Sequence, residues 1–68
     1  MRILGIESSA VTASVAIITD EVLTAEYTIN YKKTHSQTLL PMIDEICKMT
    51  ETDIGTVDLI AVSIGPGS

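Results

Sequence analysis

Residues 22–31 read V-L-T-A-E-Y-T-I-N-Y, and their two-residue alternation sets the fold class. Leu23, Ala25, Tyr27, Ile29 and Tyr31 fall on one face, and Val22, Thr24, Glu26, Thr28 and Asn30 on the other. Successive side chains of a strand point to opposite faces, so the segment predicts a half-exposed antiparallel strand. Just upstream, Asp20-Glu21 is a tight polar break. Residues 12–19, T-A-S-V-A-I-I-T, are rich in the β-branched side chains that suit a pleated surface. Residues 2–6 are apolar apart from Arg2 and stop at Glu7-Ser8-Ser9, which reads as a short buried strand. Three strands joined by short breaks make a meander.

Past Lys32-Lys33-Thr34 the period changes. Leu39, Leu40, Ile43, Ile46, Cys47 and Thr50 form an apolar stripe at helical spacing, with Asp44, Glu45 and Lys48 opposite. Thr34 or Ser36 is expected as the N-cap, and Pro41 is expected near the helix start, where its missing N–H costs least. The helix is expected to fade by Glu51, with Gly55 closing the connection. Residues 59–64, L-I-A-V-S-I, are a continuous apolar run, which predicts a strand buried on both faces. A strand reached through a helix runs parallel to its neighbour. The order is β-β-β-α-β, an α/β domain that stops at Gly65-Pro66-Gly67-Ser68. One helix covers one face of such a sheet, so the other face is expected to be covered by more chain or by another subunit.

The 68 residues are 46% hydrophobic and contain no Phe or Trp, so the core must come from aliphatic side chains and Met. Acids outnumber bases nine to four, for a net charge of −5. Residues 44–58 carry most of the excess, with Asp44, Glu45, Glu51, Asp53 and Asp58 against Lys48. Such a surface repels phosphate backbones and anionic membranes, which argues against autonomous nucleic-acid binding. A single cysteine, Cys47, excludes an internal disulfide and fits a reducing compartment. No apolar run approaches the ~20 residues of a membrane span. Glu7 also arrives too soon for a signal peptide. The expected location is the cytoplasm.

Two turns are candidates for chemistry. Glu7, Ser8, Ser9 and Thr12 could offer hydroxyls and backbone N–H groups to a phosphate, with the acid holding a hydrated cation; the same residues also make an ordinary polar turn. Gly65 and Gly67 lie where open α/β sheets bind ligands, yet G-x-G-x-x-G needs a third glycine and a Walker loop needs a lysine. His35-Ser36 cannot form a triad, because adjacent residues do not reach that geometry. The position one turn after His35 is Leu39, which is no metal ligand. Cys47, on the apolar stripe, is read as a buried thiol. Met42 and Met49 flank the stripe, and such adaptable side chains at its edge suit a docking surface.

Three segments together carry a resemblance: M-R-I-L-G-I-E-S-S at the start, H-S-Q-T-L-L-P-M-I-D at the helix, and D-L-I-A-V-S-I-G-P-G-S at the end. In that combination and spacing the chain resembles the bacterial TsaB (YeaZ) family of tRNA threonylcarbamoyladenosine biosynthesis proteins, which are glycoprotease-like. The resemblance implies a ribonuclease-H-like lobe of the actin/sugar-kinase/Hsp70 (ASKHA) superfamily. Residues 1–68 would be the first part of the N-terminal lobe, with the second lobe absent. It also implies a non-catalytic scaffold that binds a TsaD-like catalytic paralogue, with homodimers and a TsaE-like ATPase as further partners and tRNA touched only indirectly. ATP and a metal would belong to the partner, with no cofactor in this chain. TsaD-like proteins carry His-x-x-x-His; here His35 is followed by Leu39. Glu7 stands where many of these folds carry Asp. The resemblance places the partner interface at Leu39, Met42, Ile43, Ile46 and Met49. The alternative is a nucleotide-dependent phosphotransferase or ATPase of the same superfamily, with the Glu7–Thr12 turn at the phosphate.

Overall fold

The computed structural model describes residues 1–30 and 35–65, with the backbone alone at 35–37. Strands β1 (Arg2–Ser8), β2 (Thr12–Thr19) and β3 (Val22–Asn30) form the expected meander. Helix α1 (His35–Met49), a short 3₁₀ turn (Ile54–Thr56) and β4 (Leu59–Ile64) follow. The sheet order is β3-β2-β1-β4, antiparallel except for the parallel β1–β4 pair. Tyr31 and Thr34, placed by sequence on the third strand and at the helix cap, lie outside the described residues, as do Pro66, Gly67 and Ser68.

The core is one layer of sheet against one helix. Leu4, Ala13, Val15 and Ile17 from the sheet meet Met42 and Ile46 from α1, each at most 4% exposed. Alternation puts Leu4, Ile6 and Ser8 on the helix side of β1 and Ile3, Gly5 and Glu7 on the open side. On β3, Ala25, Tyr27 and Ile29 pack against the core as their spacing predicts. Leu23 does not. The register slips between Ile17 and Ile18, so Leu23 pairs with Ile18 and turns to the open face. A bulge of this kind reverses the facing of every residue beyond it.

The β2–β3 hairpin closes through Asp20 (φ 49°) and Glu21 (φ 69°), a two-residue turn with both central residues left-handed. Neither is Gly or Asn, and the start of β1 supports the turn instead. The Asp20 N–H donates to the Met1 carbonyl at 2.9 Å, and the Met1 α-ammonium donates to Asp20 Oδ1 at 2.7 Å.

Helix α1 starts at His35, so Ser36, one of the two cap candidates, is a helical residue and not its cap. Pro41 falls in the helix interior and removes one backbone donor there. Termination comes at Glu51, whose φ is 53°. The Glu51 N–H donates to the Lys48 carbonyl at 3.2 Å, and the Thr52 N–H to the Cys47 carbonyl at 2.8 Å. These are the paired bonds of a Schellman stop, made here without glycine.

β4 departs most from expectation: all six of its residues are exposed, with Ile60 at 56% and Val62 at 59%. It pairs with β1 at the sheet edge, whereas α1 lies across β2 and β3, so neither face of β4 is covered. A clasp holds its register. The Asp58 N–H donates to the Arg2 carbonyl at 2.8 Å, and Asp58 Oδ2 accepts from the Arg2 N–H at 2.8 Å. Arg2 Nη1 donates to Thr56 Oγ1 at 2.6 Å. Among the described residues no helix is long and apolar enough to cross a membrane.

Candidate functional site

The parallel β1–β4 pairing sets Ser8 opposite Ile64, so both candidate turns emerge at the same end of the sheet. The Gly65 N–H donates to the Ser8 carbonyl at 2.6 Å. A Cβ on Gly65 would lie 3.3 Å from that oxygen and 3.4 Å from Ser9 Cβ, so glycine is what permits the approach. Gly65, at the start of one candidate turn, thus packs directly against Ser8 and Ser9 of the other. Gly67 is outside the described residues.

Within this structure two of the backbone N–H groups proposed for phosphate are engaged already. The Ser9 N–H donates to the Thr12 carbonyl at 2.8 Å, and Ser9 Oγ accepts from the Thr12 N–H at 3.3 Å. Ser8 is buried on the helix side. Glu7 is exposed on the opposite face, between Ser14 of β2 and Ser63 of β4. Adjacent strand residues point apart, so the Glu7 carboxylate and the Ser8 hydroxyl do not converge on one ligand. The open face around Glu7 is a shallow depression of about 280 Å³ floored by the small residues Gly5, Ala16 and Ala61. Among the described residues no cluster of three or more His, Cys, Asp or Glu is placed to hold a metal.

The helix residues assigned to a partner interface separate into two sets. Met42 and Ile46 pack onto the chain's own sheet and are unavailable to a partner, because the stripe they belong to is the core stripe. Leu39 and Ile43 are half-buried against that core, and Met49 is 67% exposed. Beside this stripe the structure reveals a groove of about 540 Å³ between α1 and the 3₁₀ turn, lined by Leu40, Ile43, Cys47 and Ile54. Cys47 is half-buried there, not sealed in the core. The sequence signals for this groove were Leu40, at the side of the stripe, and Ile54, an aliphatic residue in the mostly polar connection after α1.

Acidic groups rim the groove. Asp44, Glu51 and Asp53 line it together with one base, Lys48, whose Nζ is 2.9 Å from Asp44 Oδ2. The hydrogen bond that Lys48 donates to Asp44, then the charges of Asp44 and Glu45, raise the Lys48 pKa above the ordinary lysine value. Asp53 is occupied as the cap of the 3₁₀ turn, accepting from the Gly55 N–H at 2.9 Å.

Comparison with known proteins agrees with this architecture. Residues 22–68 match the family model described as TsaD: tRNA N6-adenosine threonylcarbamoyltransferase. The tRNA threonylcarbamoyladenosine biosynthesis protein TsaB of Escherichia coli (strain K12) is 32% identical over 68 residues, all of this chain and 29% of the relative. The protein of the same name from Buchnera aphidicola subsp. Acyrthosiphon pisum (strain APS) is 39% identical over 66 residues, 97% of this chain and 29% of the relative. The solved structure of YeaZ from Pseudomonas aeruginosa superposes with a TM-score of 0.84 at 26% identity, over 98% of this chain and 31% of that one. The chain thus spans under a third of the length of these relatives. With the family model, the two TsaB relatives and the YeaZ superposition in agreement, the chain belongs to the TsaB/YeaZ family and has its ASKHA-type α/β fold.

Proposed function

We propose that this chain is the first part of the N-terminal lobe of a scaffold subunit for tRNA threonylcarbamoyladenosine biosynthesis, one that works by docking and performs no chemistry itself. Its principal partner would be a TsaD-like paralogue, with a second copy and a TsaE-like ATPase as further partners, and with tRNA, ATP and any metal handled by those partners. The relatives' names support the pathway. The observation that supports the docking role is the state of the β1–β2 turn. Glu7 faces away from Ser8, and the backbone N–H groups of Ser9 and Thr12 are both taken up within the turn.

The test is genetic and chemical. The full-length protein, expressed in bacteria depleted of their own TsaB, is expected to restore threonylcarbamoyladenosine in digested tRNA, as read by mass spectrometry. Restoration by a Glu7→Gln, Ser9→Ala double variant is expected too. Failure of the wild-type protein to restore the nucleoside overturns the proposal.

One observation favours the phosphotransferase reading: Gly65 and Ser9 meet at the carboxyl ends of parallel strands, where α/β folds collect ligands. Calorimetric titration of ATP and magnesium into the full-length protein separates the two readings. Tight binding with hydrolysis, lost in the same double variant, would replace the scaffold by an enzyme.

A further inference from the structure

We draw no further inference here: the strongest candidate, the open sheet face where Ser63, Glu7, Ser14 and Thr28 form a polar row across all four strands beside the small residues Gly5, Ala16 and Ala61, is an unpartnered face, and nothing in the structure shows what covers it.

Discussion

The backbone N–H of Gly65 sits 2.6 Å from the carbonyl oxygen of Ser8, tying the exit of β4 to the exit of β1. The bond forms because the parallel pair is in register from Ile3↔Leu59 to Ser8↔Ile64, and it places both end turns side by side.

Gly65→Ala is expected to destabilise the full-length protein by about 1–2 kcal/mol, since a new Cβ must push on backbone. The added atom would lie 3.3 Å from the Ser8 carbonyl, which is fixed by β1. Gly55→Ala meets an equally close atom, but that atom is the Asp53 side-chain oxygen, which can move. Its cost is expected to be well below that of Gly65→Ala. Urea denaturation of both variants checks the order, and equal losses would contradict it.

Glu51→Gly is expected to stabilise by about 0.5–1 kcal/mol, because glycine adopts the left-handed conformation without a Cβ penalty. Glu51 holds φ 53° at the helix stop. Glu21→Gly, at φ 69° in the hairpin turn, is expected to act in the same direction. A fall in melting temperature for both would show that these side chains make contacts worth more than the strain.

The Met1–Asp20 pair gives stability a pH dependence with two edges. The hydrogen bond and charge of the α-ammonium lower the Asp20 pKa from its ordinary 3.8, so its contribution is present above that value and is lost as pH falls through the lowered one. Asp20 raises the α-ammonium pKa above 8.0, so that contribution is full below 8.0 and is lost as pH rises through the raised value. Both groups are exposed, which makes the effect small and sensitive to salt. Asp20→Asn is expected to flatten both edges; thermal melts across pH at low salt check this, and unchanged edges would refute the coupling.

Ile46→Ala is expected to cost about 2–4 kcal/mol, since a fully buried side chain leaves a cavity the sheet cannot fill. Ile46 is 0% exposed against Leu4, Val15 and Ile17. Leu40→Ala, on the groove side, is expected to change stability by less than about 0.5 kcal/mol. Calorimetric unfolding of the two variants compares the inward and sideways faces of α1. A large loss at Leu40 would mean that the groove is closed in the full-length protein.

Sequence alone determined the features that depend on neighbouring residues. Two-residue alternation from Val22 to Asn30 specified a strand, the spacing of Leu39, Ile43 and Ile46 specified a helix, and Asp20-Glu21 specified a turn. These are legible because side-chain direction follows backbone period. Tertiary structure decided the rest. Continuous apolar character predicted burial for β4, but burial depends on where α1 lies, and α1 crosses β2 and β3. Leu23 changed face because a bulge is a property of two strands together. Leu40, read as part of the apolar stripe, went to the groove, and Met42, read as its flank, went to the core, because where the sheet lies decides which edge of the stripe is covered. Gly65 and Ser8, far apart along the chain, became neighbours through parallel pairing, which long-range hydrogen bonds between strands alone establish.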